Sequence, residues 1–312
     1  MSANRRLNVL LVGGSGFVSG TLARIASSRG HKVWAVTRGQ RALPEGVTGL
    51  TADRHDQAAF ERVIRTAGTH WDLVVDCIAY EPADAGQDVA LFRGLAGHFV
   101  LISTDFVFDP SRRRFPQPQD SQHFAAEGYG GKKRLAELEL MNADAGEMIW
   151  TIVRPCHIYG PGSQLGCLPM HLRDAQLISR ITSGEALQLV GGGHFLQQPI
   201  FAPDLARLIL SLVGNERTYG QAFCTAGPDI VESRDYYRII ADALGKSLNI
   251  EEVPVSSSLA AHPDFAPFLC HRIYDLGGLR AAGVEIPSTP IDKGLREHVE
   301  SLQPAPFDCT GE

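Results

Sequence analysis

A tyrosine and a lysine four residues apart, Tyr129 and Lys133, could carry proton-transfer chemistry. On a helix this spacing places both side chains on one face, so the ammonium would lie near the phenol and favour its ionised form. Such a phenol can exchange a proton with a substrate oxygen. Thr104 follows an apolar run 25 residues earlier and would orient the same oxygen with its hydroxyl. Because the pattern YxxxK also occurs by chance, its meaning depends on the elements that carry it.

A glycine-rich turn stands early in the chain, between a strand-like run and a helical stretch. Gly13 permits a tight turn, Gly16 permits a close backbone approach, and the amino end of the following helix offers free N–H groups. The pattern predicts a turn that binds the pyrophosphate of a dinucleotide cofactor, with Ser19 where a third glycine is usual. The residues predicted to form this binding turn are Gly13, Gly14, Ser15, Gly16, Phe17 and Val18.

The second strand-like run ends beside Arg38, without the acidic residue that NAD binders use for the adenosine ribose. A guanidinium suits a 2′-phosphate by charge and geometry, so we expect NADP(H) to be favoured over NAD(H). After the third run, Asp53 would reach the adenine with Arg54 beside it. After the fourth, Ala79 and Tyr80 would lie along the pyrophosphate and ribose.

These residues follow apolar runs that alternate with amphipathic stretches along the first half of the chain. Such alternation predicts an α/β fold of Rossmann type, a doubly wound parallel sheet with helices on both faces. The predicted strands are Leu7–Val12, Lys32–Thr37, Gly49–Asp53, Trp71–Cys77, His98–Ser103 and Met148–Arg154. The predicted helices are Thr21–Ser28, Gln57–Thr66, Ala83–Leu95 and Lys132–Asn142.

The pattern changes after residue 160 to helices, short strands and proline-bearing loops. We predict an NAD(P)-binding domain over residues 1–160, with segments near 200–225 returning to its sheet. A smaller, mixed α/β substrate-binding lobe is predicted over residues 161–312. Its predicted helices are Leu168–Ser183, Pro203–Val213, Ser233–Leu244 and Ile291–Ser301. The last ten residues, with Pro304 and Pro306, are expected to be a frayed tail.

The composition of the chain excludes several classes of protein. The 312 residues are 44% hydrophobic and 21% charged, as in globular proteins, and the net charge of −6 argues against a broad nucleic-acid surface. No apolar run approaches the roughly 20 residues that a membrane helix needs. The six cysteines show no CxxC spacing, so we expect a reducing, cytoplasmic setting and no metal site.

Five segments in one order resemble the extended short-chain dehydrogenase/reductase family of NAD(P)-dependent epimerases, dehydratases and reductases. They are GGSGFVSG, ISTDFVFD, YGGKK, RPCHIYGPG and DLGGLRAAGVEIPSTPIDKGLREHVE, and the resemblance covers nearly all of residues 7–299. It implies a Rossmann domain with a small substrate lobe. By position it places Thr104, Tyr129 and Lys133 on the family's catalytic residues, with Lys133 also donating to the nicotinamide ribose. The resemblance further implies cofactor contacts from Ser103, Tyr129, Lys133, Pro155 and His157.

Departures from the family pattern bear on the substrate. Asp105 is followed by Phe106, where sugar-nucleotide dehydratases carry an Asp-Glu pair, so dehydration is disfavoured. The segment around them is similar to one in dTDP-4-keto-sugar reductases. Gln197 stands where sugar-nucleotide enzymes usually place an arginine for the diphosphate, so the substrate need not carry one. The residues expected to contact the substrate are Asp105, Phe106, Arg114, His157 and Gln197.

We therefore expect an NADP(H)-preferring oxidoreductase that moves a hydride between nicotinamide and a carbinol or carbonyl carbon of a small sugar-like or polyhydroxylated molecule. An epimerase that recycles its NAD internally stays open as an alternative. So does a catalytically silent RNA-binding member, because the segment 53–56 and Gln197 resemble a subgroup that includes plastid RNA-binding proteins. The basic run Arg112–Arg114 with Phe115 is the candidate RNA contact. The resemblance also implies a homodimer through the helices predicted at 83–95 and 132–142.

Overall fold

The computed structural model describes residues 5–68 and 70–303. The predicted frayed tail, apart from its first residue, lies outside them. The strands are β1 (Asn8–Val12), β2 (Lys32–Thr37), β3 (Val47–Thr51), β4 (Trp71–Asp76), β5 (Ala96–Ile102), β6 (Ile149–Pro155), β7 (Ile158–Tyr159), β8 (Leu187–Val190), β9 (Leu196–Gln197), β10 (Ile200–Phe201), β11 (Gln221–Thr225), β12 (Val231–Glu232) and β13 (Ile250–Val253). The α-helices are α1 (Phe17–Ser28), α2 (Gln57–Thr66), α3 (Pro82–Phe92), α4 (Gly128–Asn142), α5 (Leu177–Ser183), α6 (Ala202–Ser211), α7 (Ser233–Ala243), α8 (Val255–Ala261), α9 (Gly277–Ala282) and α10 (Ile291–Leu302).

The central sheet has seven parallel strands in the order β11-β6-β5-β4-β1-β2-β3. The α/β doubly wound fold predicted from the sequence is confirmed. The strand order reverses between β1 and β4, and the carboxyl ends of these two strands border the crevice where open α/β sheets bind ligands. The glycine turn follows β1, and Thr104 follows β5, so the fold brings both to this edge of the sheet.

The inner strands of this sheet, such as β1 and β4, are buried on both faces, which is why they read as continuous apolar runs. Successive side chains of β1 point to opposite faces. Val9 and Leu11 pack on one face in a core that includes helices α1 and α6. Leu10 and Val12 pack on the other face in a core that includes helices α2, α3 and α4. Helices therefore cover both faces of the sheet.

The later part of the chain contributes to the central sheet and to a second core. Strand β11 returns to the sheet and pairs with β6, with Cys224 opposite Arg154. Helix α6 packs against α1 in the same core as Val9 and Leu11. A separate core forms around α5, α7 and α10. The sheet is therefore completed by chain that comes after β7 and α5.

One predicted helix is wrong over its first half. Leu168–Ser183 was expected to be helical, but α5 begins only at Leu177. His171 has a φ of 56° in the left-handed region, and the Tyr237 hydroxyl lies 2.6 Å from the Met170 carbonyl oxygen. Tertiary hydrogen bonds thus take the place of helical ones. In the described residues, no helix has the length and apolar character to cross a membrane.

Candidate active site

The glycine turn is built for a closely approaching ligand. Gly14 has a φ of 133°, and a Cβ added there would lie 2.4 Å from the Cβ of Ala35, so only glycine fits. The Ser19 hydroxyl accepts hydrogen bonds from the amides of Gly14 and Gly16 at 3.0 and 3.2 Å. The Ser19 hydroxyl therefore stabilises the turn through these two hydrogen bonds. The first amides of α1, starting at Phe17, have no acceptor within the helix, so the turn fits a pyrophosphate.

The residues predicted for the adenosine end separate into two groups. Arg38 and Asp53 are exposed beyond the carboxyl ends of β2 and β3. Arg54 is buried instead, and the prediction that it reaches the cofactor is wrong. Its guanidinium forms ion pairs with Asp76 at 2.6 Å and with Asp88 at 3.1 Å. A buried cation requires such partners, because desolvation without them is costly.

The Arg54 cluster also shapes the turn after β4. Asp76 accepts a hydrogen bond from the Ala79 amide at 2.8 Å, and the carbonyl of Ala79 accepts one from Lys133 Nζ at 2.7 Å. A chain of contacts therefore runs from the end of β3 through the turn to the lysine. Ala79 is buried in this turn, while Tyr80 beside it is half exposed.

Lys133 lies buried between the ends of two strands. Its Nζ also donates to the Ile102 carbonyl at 2.6 Å, and the Tyr80 ring centroid is 5.6 Å away. Burial lowers the pKa of Lys133, although nearby acids such as Asp76 oppose the shift. An ammonium has three hydrogens, so one remains for a further acceptor.

Tyr129 lies at the amino end of α4, beside Thr104. Gly130 makes this possible, because a Cβ added to it would lie 1.9 Å from the Phe106 carbonyl oxygen. The expected lowering of the phenol pKa is not found. Burial, followed by the neighbouring Tyr80, raises the pKa of Tyr129, while a hydrogen bond with Thr104 lowers it. In this state the chain keeps the phenol protonated.

Ser103 hydrogen-bonds within the protein. Its hydroxyl donates to Glu137 Oε1 at 2.6 Å, and Glu137 is buried and paired with Arg154 at 2.8 Å. These contacts fix α4, which carries Tyr129, to strands β5 and β6. The serine therefore positions the helix by donating its hydroxyl hydrogen to Glu137, and its cofactor contact stays a prediction. Pro155 is buried at the end of β6, next to the same edge of the sheet.

One prediction for the substrate side is wrong for a related reason. Asp105 is buried, and its carboxylate accepts hydrogen bonds from Arg272, Arg113 and Tyr274. Although burial opposes ionisation, Arg272 and Arg113 hold the pKa of Asp105 below its usual range. The Asp105 carboxylate therefore binds side chains of the protein itself. Arg114 is exposed and its substrate contact stays a prediction, whereas its neighbour Arg113 is bound to Asp105.

An aromatic wall adjoins the tyrosine. The ring centroid of Phe106 lies 6.1 Å from that of Tyr129 and 5.7 Å from that of Phe268. The guanidinium of Arg272 lies over the Phe106 ring at 4.3 Å. Phe106 therefore borders Tyr129, and its contact with a substrate stays a prediction.

The remaining predicted substrate contacts are uncharged. Burial lowers the pKa of His157 to about 3, with a further contribution from Arg173, so its imidazole is neutral near pH 7. Gln197 is 1% exposed, and within the described part of the chain neither its Oε1 nor its Nε2 has a hydrogen-bond partner. Buried amides are seldom left unpaired, so Gln197 is suited to a polar ligand.

Sequence reasoning missed several charged residues of the site. Arg272 and Tyr274 are two apart, which places both side chains on one side of an extended segment, and both bind Asp105. Arg154 offered a clearer signal, because an arginine inside an apolar strand needs a buried acid. Glu137, four residues after Lys133 on the same helix face, is that acid.

Among residues 5–68 and 70–303, no group of three or more His, Cys, Asp or Glu side chains could hold a metal ion. The described cysteines are all free thiols. Cys156 and Cys167 are buried, and burial raises the pKa of Cys167 to about 12.

Comparisons with known proteins show what this chain is similar to. The family model for the NAD dependent epimerase/dehydratase family matches residues 88–223, which include the catalytic candidates. 2′-Dehydrokanamycin reductase of Streptomyces kanamyceticus is 26% identical over 280 residues, covering 87% of this chain and 77% of that protein. A dTDP-4-dehydro-6-deoxy-D-allose reductase of a Streptomyces species is 22% identical and covers 93% of this chain and 94% of the relative.

A relative of another kind is the chloroplast stem-loop binding protein of 41 kDa b of Arabidopsis thaliana. It is 23% identical over 240 residues, covering 74% of this chain and 61% of that protein. Among solved structures, an epimerase of Methanothermobacter thermautotrophicus superposes with a TM-score of 0.78 at 16% identity, covering 96% of this chain and 93% of the other. The structural likeness confirms the fold, and the family resemblance expected from the motifs is confirmed by the family model and the curated relatives.

Proposed function

We propose that this protein is an NADP(H)-preferring reductase. The chain resembles the NAD dependent epimerase/dehydratase family in its motifs and fold. Its substrate class is a small sugar-like or polyhydroxylated carbonyl compound. The observation that carries the proposal is the convergence of Tyr129, Thr104 and Lys133 at the carboxyl ends of β4 and β5, beside the glycine turn.

The chain's own groups divide the proton chemistry between them. A bound nicotinamide dinucleotide would supply the hydride. Tyr129 Oη would give its proton to the carbonyl oxygen, and the Thr104 hydroxyl would orient that oxygen. A phenol whose pKa is raised by burial suits this role, because it holds the proton until the oxygen gains negative charge. The buried ammonium of Lys133 would then favour the phenolate that remains.

The cofactor assignment rests on residues that fit a dinucleotide. The glycine turn admits no Cβ at Gly14, and α1 directs unpaired amides to an anion there. Arg38 is exposed beyond β2 and has no ion pair with an acid in the described residues. Its guanidinium is therefore free to take a 2′-phosphate, which supports NADP(H) over NAD(H).

The substitution Tyr129→Phe tests the acid assignment. It removes the phenolic proton and keeps the ring that contacts Phe106. We expect turnover of NADPH with a panel of keto sugars to fall by about 10²- to 10⁴-fold, with NADPH affinity nearly unchanged in a fluorescence titration. Activity that survives within tenfold would refute the role of Tyr129.

A second candidate function, RNA binding, is favoured by the similarity to the chloroplast stem-loop binding protein. The structure weakens its basic patch, because Arg113 is buried against Asp105 and leaves Arg112 and Arg114 on the surface. The dinucleotide released on denaturing freshly purified protein separates the candidates. An empty site that binds NADPH supports the reductase. Retained NAD⁺ favours the epimerase, and a site that binds neither dinucleotide favours the RNA-binding function.

A further inference from the structure

An arginine of the smaller lobe reaches across to the glycine turn. The guanidinium of Arg173 lies over the ring of Phe17, 5.7 Å from its centroid, and Phe17 is the first residue of α1. In the described part of the chain no acidic side chain forms an ion pair with Arg173, whereas the neighbouring Asp174 pairs with His171 and Arg180. The positive charge at the turn is therefore uncompensated.

The charge of Arg173 also reaches the reacting centre. Burial raises the pKa of Tyr129, and Arg173 is among the groups that lower it. Burial lowers the pKa of His157, and Arg173 lowers it further. The guanidinium thus acts on the glycine turn at one end of the crevice and on the catalytic tyrosine at the other.

The loop that carries Arg173 is braced rather than free. The Tyr237 hydroxyl accepts a hydrogen bond from the Cys167 amide at 3.0 Å and lies 2.8 Å from the Cys167 carbonyl oxygen. Gly166 has a φ of 132°, and a Cβ added there would lie 1.5 Å from the His171 carbonyl oxygen. The loop therefore packs on itself closely enough to present Arg173 in a fixed place.

Electrostatics explains what this placement requires. The amino end of an α-helix carries a partial positive charge of about half an elementary charge, so a cation held there is repelled. A cation–π contact at an exposed site is worth only about 0.5–1 kcal/mol. An anion between the guanidinium and the helix amides would turn this repulsion into two attractions.

We propose that Arg173 clamps the pyrophosphate of the bound dinucleotide against the glycine turn, from the opposite lobe. This inference rests on the proposed function, because it takes the dinucleotide as the ligand of the turn. Arg173 then contributes to the affinity for the pyrophosphate, which NADP(H) and NAD(H) share. Arg38 contributes only to the affinity for the 2′-phosphate, which NADP(H) alone carries. The two arginines have separable effects.

Fluorescence titrations with NADPH and NADH, and calorimetric titration with ADP, test the clamp in the full-length protein without substrate. We expect Arg173→Met to weaken all three ligands by about tenfold, because each contains a pyrophosphate. Arg38→Met should weaken NADPH and leave NADH and ADP unchanged. Arg62→Met is the matched control, since it removes an exposed arginine of α2 and should change no affinity.

Each outcome bears on one level of the proposal. If the wild-type protein binds NADPH and Arg173→Met binds all three ligands equally well, the clamp is wrong and the proposed function stands. If Arg173→Met leaves these affinities unchanged but raises the KM of a carbonyl substrate, the arginine serves an anionic group of the substrate, and the clamp is again wrong. If the wild type binds none of the three ligands, the proposed function itself fails.

Discussion

Buried charges around the crevice occur in compensated groups, and each group fixes one segment of the site. Arg54 with Asp76 fixes the turn that holds Lys133. Glu137 with Arg154 fixes the helix that carries the tyrosine. Removing one partner of such a group leaves an unpaired buried charge, which typically costs about 3–5 kcal/mol. Substitutions here would therefore be read first as losses of stability.

One buried group predicts how stability depends on pH. Burial lowers the pKa of His98 from 6.5 to about 4, and its Nε2 lies 2.8 Å from the Thr151 hydroxyl. The unfolded chain therefore binds a proton between pH 6.5 and 4 that the folded chain does not, so stability falls as pH falls through this window. Between pH 7 and pH 5 we expect His98 alone to remove on the order of 2 kcal/mol.

The measurement is urea unfolding at both pH values for the wild type and His98→Gln. Glutamine keeps a donor for Thr151 and does not titrate, so the variant should lose less stability on acidification. Equal losses in the two proteins would contradict the assignment to His98.

At the residue scale, local spacing was enough to predict that Tyr129 and Lys133 lie on one helix face, but not to predict the partners of neighbouring charged residues. Tyr129 and Lys133 are four residues apart on one helix, so the sequence pattern indicates their proximity. Asp105 is bound by Arg272, 167 residues away in the sequence. The residues next to Asp105 in the sequence do not predict that partner. The predicted roles of Asp105 and of Arg54 were wrong because free side chains were assumed where long-range ion pairs exist.

At the element scale, helix α4 depends on a close contact at its first turn. Gly130→Ala would place a Cβ 1.9 Å from the Phe106 carbonyl oxygen, so the start of α4 must move away and take Tyr129 from Thr104. We expect turnover to fall at least tenfold while NADPH affinity, measured by fluorescence, is retained. Gly94→Ala is the matched control, because no heavy atom lies within 4 Å of its added Cβ. Unchanged turnover in Gly130→Ala would show that this contact does not position the tyrosine.

Elements in which apolar residues recur at a clear helical spacing were predicted well. Elements whose bounds depend on tertiary contacts were not. The predicted helix Gln57–Thr66 agrees with the structure at both ends. The predicted strand Gly49–Asp53 is shifted by two residues, because β3 spans Val47–Thr51 at the sheet edge, where partial exposure weakens the apolar pattern. The stretch before Leu177 has apolar residues but is held as a loop by Tyr237.

At the scale of the whole molecule, the sheet needs chain from beyond the predicted boundary at residue 160. Strand β11 covers the edge of β6, and Leu205 and Ile209 of α6 are buried in the core against α1. We therefore predict that a protein truncated after Gly160 exposes this apolar face and aggregates, whereas the full chain unfolds cooperatively. Light scattering and thermal unfolding by circular dichroism check this. A soluble fragment with a cooperative transition would instead support a boundary at 160.

The fold class followed from the alternation of apolar runs and helical stretches, because few folds other than a doubly wound sheet have this order of elements. For the later chain, segments near 200–225 are predicted to return to the sheet, and β11, five residues long, pairs there with β6. The predicted division into two domains remains a prediction.

Lys133 shows what these contacts imply for the use of knock-out variants. Its ammonium ties the carbonyl of Ala79, after β4, to that of Ile102, at the end of β5. In the proposed mechanism the same side chain acts on the phenol, and in the structure it cross-links neighbouring chain segments. An alanine at this position would therefore combine a loss of chemistry with a loss of structure in the turn after β4. Loss of activity in that variant would not identify a chemical role, whereas Tyr129→Phe removes the proposed proton donor alone.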